Sequence, residues 1–440
     1  MINFFKIFFI ILVFRFEIIE ARNINIVRDA ETEIFLRELS LPLLKEANIN
    51  PDTINFYISH DERINAFVTK GYNIFITTEL LLNITNYHQI AAVIAHEIGH
   101  ITGGHFSKQI SASKDSAFIN ILSSILAIGA YAGGSSSAGT ALLMGGQHIG
   151  KQRSLMFSRN QESFADQAAM KFIEKTGYSL RGLYELLGIL EKRQRMVKQN
   201  PYNLTHPLSK ERRQIVFEKL KTGDTKIKEN SKLQKKFKFI QAKLIGFFLD
   251  EEIIEIYYPK SDQSTESKYA KTLNLYKRGK IKDALKKIDE CILLDSQNEF
   301  FYELKGQMLF ESGDFESSVK SYENALKINK TEKYFHYSIG KSLYHTDKKK
   351  NILDSIIYFE FYKKNSLFPV DALHYLALSH AKIGNFVSSS ISLSEKFLLL
   401  NDLKNAKLHL EKAKKFKIAD KKIKNLISDL DFLIKQKENL

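Results

Sequence analysis

The residues His96-Glu97-Ile98-Gly99-His100 set two imidazoles four positions apart with a carboxylate between them. On an α-helix, positions four apart share a face, so both rings can bind one metal ion while Glu97 lies beside a water on that ion. The set points to metal-assisted hydrolysis, in which the ion acidifies water and polarises a carbonyl while the carboxylate moves the proton. A catalytic zinc takes three protein ligands and keeps one position open. Glu162, in Glu162-Ser163-Phe164-Ala165-Asp166, is the candidate third ligand. Asp166 follows one turn later on the same face, where it can accept the N–H of a ligand histidine and fix its tautomer.

Two further stretches fit hydrolysis of peptides. Asn65-Ala66-Phe67 lies in a strand-like segment, and an edge strand holds an extended peptide through main-chain hydrogen bonds. His206-Pro207, followed by Arg212, can bring a cationic or hydrogen-bonding group to the oxyanion that forms on a substrate carbonyl. His206 can equally be a fourth metal ligand that keeps the resting site closed. His105, after Gly103-Gly104, has tempting spacing for a ligand, but glycines end or distort a helix, which favours a structural role. His148 stands in a glycine-rich stretch with no partner visible in the sequence.

These residues need elements to hold them. From about Arg22 to Glu218, alternating stretches at Asn55–Ile58 and Asn73–Thr77 mix with helical patterns, including one from near Gln89 through the histidines, which reads as an α+β domain. Between Ala117 and Gly150 an apolar run precedes a Gly/Ser-rich stretch around 133–146. It reads as a weakly helical hairpin that covers a cleft as a gate or touches a membrane surface through 117–146, the competing reading being a buried core hairpin. From about Lys235 on, amphipathic helical periodicity takes over, with self-similarity at a spacing of 34: Gly306 recurs as Gly340, Ala284 aligns with Ser318, Ile288 with Tyr322, and Cys291 with Ala325. That is the tetratricopeptide period, and Gly313 and Gly384 mark turns within helix pairs. Three extra residues around Lys348–Asn351 keep the register into Leu373–Leu393.

Composition is that of a folded soluble chain: 440 residues, 44% hydrophobic and 26% charged. The net charge of +15 is spread along the chain with no nucleic-acid motif, so nucleic acid is not expected as a partner. Between Lys404 and Lys424, nine lysines against two acids read as a solvated helix face. Cys291, the one cysteine, excludes an intrachain disulfide and falls on a small-residue core position. At the N-terminus, Lys6 precedes an apolar run over Ile7–Phe14, shorter than the ~20 residues of a membrane span. This is signal-peptide geometry with a cut after Ala21, which implies export; an uncleaved inner-membrane anchor is the alternative. Residues 1–21 are thus read as signal peptide, 22–228 as the zinc metalloprotease domain and 229–440 as the repeat domain.

Taken together, Asn65-Ala66-Phe67, the His96–His100 motif with Gly103-Gly104-His105 after it, Arg159–Asp166, and His206-Pro207 with Arg212 resemble the BepA-like periplasmic zinc peptidases, relatives of the HtpX heat-shock protease and the CaaX prenyl endopeptidase. The resemblance covers nearly the whole chain. It implies a mainly helical Glu-zincin domain with a small edge sheet, followed by an all-α tetratricopeptide solenoid. It further implies one zinc on His96, His100 and Glu162, with Glu97 as general base and Asp166 outside the ligands. His206 would guard the open position or assist the transition state. The expected substrates are unfolded or misassembled polypeptides in outer-membrane protein quality control, with the repeats contacting assembly machinery or substrates. The rival function is a tetratricopeptide adaptor or chaperone whose zinc is structural or latent. A zinc-dependent deacylase is disfavoured, because a small acyl substrate needs no strand to pair with.

Overall fold

The structure, a computed structural model, describes residues 26–27, 29–69, 72–105, 159–196, 206, 210–223, 229–366 and 369–438. The expectations placed on residues 1–21, the 117–146 hairpin, His148 and Pro207 lie outside the described residues. Two compact units divide between Glu229 and Asn230.

The first unit is α+β. Its sheet has four strands, β1 (Ile26–Val27), β2 (Asn55–Ser59), β3 (Ala66–Thr69) and β4 (Asn73–Thr77), in the order β1-β2-β4-β3. The central pair β2/β4 is parallel, with Ile58 opposite Ile76, while β3 pairs antiparallel to β4 and forms an edge. Alternation sets the register, because Ile58, Ile74 and Ile76 are all fully buried and a one-residue slip would turn them to the other face. Helix α1 (Ala30–Glu46) starts at Asp29, whose carboxylate accepts from Thr32 N, and buries Phe35, Leu36, Leu39 and Leu43.

Thr77 joins sheet to helix. Its Oγ1 accepts from the Leu80 backbone N–H to cap α2 (Thr78–Asn83) and from Asn65 N at 3.0 Å, so the entry to β3 is tied to the end of β4. Helix α3 (Tyr87–Thr102) begins with an Asn86 cap on Gln89 N and is buried from Tyr87 through Gly99. A helix enclosed on all sides reads as apolar nearly all round, as Ile90-Ala91-Ala92-Val93-Ile94-Ala95 does. Three more described helices follow: α4 over residues 159–176, α5 (Leu180–Met196) and α6 (Lys210–Gly223).

The second unit is all helical, from α7 (Ser231–Phe248) to α18 (Lys421–Glu438). Its repeat follows the aligned positions. A β-carbon on Gly306 would stand 2.8 Å from the Tyr322 ring, and one on Gly340 would stand 2.9 Å from the Phe359 ring. The same close approach therefore recurs with Phe359 in the role of Tyr322. The helix carrying Phe359, Lys349–Asn365, has 17 residues against 14 for Phe315–Ile328, which absorbs the three extra residues. Ala284, Ser318, Cys291 and Ala325 are fully buried, as small residues between crossing helices must be. Among the described residues, no helix is long and apolar enough to cross a membrane.

Candidate metal centre

Helix α3 delivers His96, Glu97 and His100, and α4 delivers Glu162 and Asp166. Gly99 sets the distance between the two helices: a β-carbon there would lie 2.7 Å from the Ala165 carbonyl oxygen and 2.9 Å from its Cα. Both neighbours are backbone, so the contact admits only glycine without parting the helices. That approach brings Glu162 onto the histidine pair.

Four side chains converge, with one potential ligand atom from each of His96, His100, Glu162 and His206 lying within 4.8 Å of the others. His96 Nε2 stands 3.0 Å from His100 Nε2, 3.3 Å from Glu162 Oε2 and 3.3 Å from His206 Nδ1. Glu162 Oε1 is 3.2 Å from His100 Nε2 and 3.1 Å from His206 Nδ1. Three imidazole nitrogens and a carboxylate facing one another across a buried space form a donor set that fits a divalent cation. Protons alone would leave several lone pairs opposed.

Around this set stand the supports. His96 turns its other nitrogen, Nδ1, to Asp166 Oδ1 at 3.0 Å. Arg212 bridges Glu162 and Asp166 of α4, with Nη1 2.8 Å from Glu162 Oε2, Nε 2.6 Å from Asp166 Oδ2 and Nη2 2.9 Å from Asp166 Oδ1. The guanidinium is thereby engaged behind the ligands, where the sequence had also allowed it to reach a substrate oxyanion. Glu97 is 1% exposed, and its Oε1 lies 3.6 Å from His206 Nε2.

The charges are strongly coupled. Burial works against a charged His96, yet the Glu162 and Asp166 carboxylates raise its pKa to about 10. Burial likewise opposes ionisation of Glu162, but the facing His206, His96 and His100 hold it far below the usual carboxylate range. Asp166 is lowered too: burial is outweighed by hydrogen bonds from His96 and Arg212. Burial lowers His100. The Glu162 and Asp166 carboxylates thus make this buried cavity one that favours positive charge.

The residues expected to face a peptide, Asn65, Ala66 and Phe67, lie together at the edge strand. Asn65 donates its N–H to Thr77 Oγ1 and accepts from Thr77 N, both at 3.0 Å, and the Phe67 ring stacks on Phe75 at 5.0 Å. Ala66, between them, turns its carbonyl outward from the edge strand, where it accepts from His206 Nε2 at 3.2 Å. His206 therefore touches both the ligand cluster and the edge strand, a double contact that its sequence context of one proline did not foretell. His105 was expected to be structural, and its Nδ1 lies 2.8 Å from His100 Nδ1.

Comparison with known proteins agrees with this geometry. Residues 31–218 match peptidase family M48, and residues 306–347 match a TPR repeat. The beta-barrel assembly-enhancing protease of Escherichia coli K12 is 22% identical over 302 residues, covering 66% of this chain and 61% of that protein. Its Yersinia pestis counterpart is 23% identical over 303 residues, with the same coverage. The metalloprotease YcaL of Escherichia coli K12 is 27% identical over 179 residues, or 40% of this chain and 66% of that protein. The chain thus spans about three-fifths of the length of the first two relatives. The described cluster falls inside the segment, residues 31–218, that is similar to peptidase family M48, and the segment similar to a TPR repeat follows it.

Proposed function

We propose that the protein is a zinc-dependent endopeptidase of the bacterial envelope, exported to the periplasm, that cuts unfolded or misassembled polypeptides in outer-membrane protein quality control. The observation that carries this reading is the buried convergence of His96, His100, Glu162 and His206 beside Glu97 and the edge strand β3. Zinc in particular is supported by spacing. Bonds of about 2.0–2.1 Å in a tetrahedron put neighbouring ligand atoms about 3.3 Å apart. The nitrogen and oxygen contacts here run from 3.0 to 3.3 Å.

In this reading His96, His100 and Glu162 hold the zinc. Asp166 keeps the His96 proton on Nδ1, so that Nε2 offers a lone pair, and Arg212 neutralises and orients Glu162 and Asp166. Zinc, when bound, supplies the Lewis acidity that makes water nucleophilic at neutral pH. Glu97 takes the proton from the attacking water and delivers it to the departing amine nitrogen. The substrate lies as an added strand along Asn65–Phe67, recognised chiefly by its backbone, which selects extended and unfolded chains.

His206 is the resting plug. Its Nδ1 lies among the candidate ligand atoms, where it would serve as a fourth ligand, and its Nε2–H is donated to the Ala66 carbonyl. Substrate pairing at Ala66 requires this ring to leave, after which it is placed to assist the transition state. The repeats bind protein, either the substrates themselves or the outer-membrane assembly machinery. The name of the Escherichia coli relative supports an envelope role. A latent site within a tetratricopeptide adaptor is the second reading, and the place of His206 Nδ1 among the candidate ligand atoms favours it.

Casein cleavage by the full chain separates the two. An endopeptidase loses cleavage on chelation and in Glu97→Gln while the variant keeps one zinc. If the wild type is inactive with zinc bound, activity appearing in His206→Ala marks a latent enzyme, and continued inactivity favours the adaptor.

A further inference from the structure

The chain folds back on itself directly after the second histidine of the motif. Gly103 caps the end of α3, and Gly104 adopts φ +61, the left-handed conformation that favours glycine. The turn lays the next side chain over Gly103 so closely that a β-carbon on Gly103 would stand 2.3 Å from His105 Nε2. The two glycines thus serve one result: the His105 ring, 7% exposed, lies against His100 with the two Nδ1 atoms 2.8 Å apart. Helix α4 fixes it from the other side. Gln161 Nε2 donates to the His105 carbonyl at 3.1 Å, and the Phe164 ring meets the His105 ring edge-on at 5.3 Å.

Two imidazole nitrogens at that distance share one proton, since two lone pairs or two N–H groups would repel. His100 Nε2 faces the ligand cluster and needs its lone pair there, so its proton is on Nδ1 and His105 Nδ1 is the acceptor. We propose that His105 is a positioning residue for the metal site, which accepts the Nδ1 proton of His100 and so sets the tautomer and ring angle that present His100 Nε2 to the metal. The proposal rests on the metal-centre reading given above. The two motif histidines then have different supports: His96 leans on the carboxylate of Asp166, and His100 on a neutral ring. Electrostatics accounts for the difference. Glu97, Glu162 and Asp166 already crowd this cavity opposite Arg212, and a fourth carboxylate behind His100 would add a buried negative charge needing its own partner. An imidazole accepts the same proton without that charge.

The test compares the full-length wild type with His105→Ala and with His105→Asn, whose side-chain oxygen can stand in for Nδ1 as acceptor. Zinc affinity is measured by competition with a chromogenic chelator, the visible spectrum is recorded after cobalt loading, and the melting temperature is taken on metal-free protein. We expect zinc affinity to fall about 10- to 100-fold in His105→Ala, with a shifted cobalt spectrum, an unchanged metal-free melting temperature and substantial recovery of both readouts in His105→Asn. Unchanged zinc affinity in His105→Ala overturns the proposal. So does a loss that His105→Asn fails to recover and that tracks a drop in metal-free melting temperature, since that is a folding defect. A wild type that takes up no zinc overturns the metal-centre reading and this proposal with it.

Discussion

Arg212 grips Asp166 through two nitrogens, Nε 2.6 Å from Oδ2 and Nη2 2.9 Å from Oδ1, in a pair that is almost wholly buried. The same guanidinium reaches Glu162, so one cation from α6 neutralises the two acids that α4 brings to the ligand cluster. Removing it takes the guanidinium charge from both buried carboxylates and leaves the facing imidazoles to balance them.

Arg212→Ala is therefore expected to destabilise the first domain by about 3–5 kcal/mol, the cost of breaking a buried ion pair from one side. Arg212→Lys should recover little, because an ammonium cannot reproduce the two-pronged geometry. Denaturant titration of both variants, followed in the first domain, checks the ranking; near-wild-type stability in Arg212→Ala would mean the pair contributes nothing.

Glu97→Gln keeps the shape of the side chain but removes the base. Proteolysis of casein should fall by about 10²- to 10⁴-fold while zinc content and melting temperature stay at wild-type values. Retained cleavage would assign the proton transfer to another group.

Gly99→Ala places a methyl group 2.7 Å from the Ala165 carbonyl oxygen, where only backbone can yield. Helices α3 and α4 must separate, at a cost of about 1–3 kcal/mol. Because Glu162 and Asp166 ride on α4, zinc affinity should drop along with stability. A variant that loses stability but binds zinc normally would show that the separation does not reach the ligands.

His96 gives the metal-free protein a defined pH response. Its folded pKa is raised to about 10, with burial opposing and the Glu162 and Asp166 carboxylates prevailing. Its protonation therefore contributes stability fully below the unfolded value of about 6.5, and that contribution fades as pH rises through about 10. Melting temperatures of chelated protein should fall across that window. His96→Gln should flatten this part of the curve, and an equally steep curve in that variant would assign the effect elsewhere.

Cys291 should be silent in the native state. It is fully buried, and burial pushes its thiol up to about 12, so little thiolate exists near neutrality. A thiol reagent at pH 8 should label it only after denaturation; rapid labelling of folded protein would contradict the packing around the Ala325-equivalent position.

Much of this protein is determined locally and so is legible in a string of residues. The helical face that joins His96 to His100 follows from 3.6 residues per turn, and the strands Asn55–Ser59 and Asn73–Thr77 follow from alternation. The repeat register, including the longer helix that carries Phe359, follows from the spacing of small and aromatic residues. Other features depend on approach between distant segments, which spacing does not encode. Only the folded chain shows that Gly99 sets the gap to Ala165, that Arg212 lies behind Glu162 and Asp166, and that His206 spans 140 residues to reach the Ala66 carbonyl. His105 marks the boundary between the two kinds of information: its glycines announce a turn, but that the turn ends on His100 Nδ1 is decided by packing against Gln161 and Phe164.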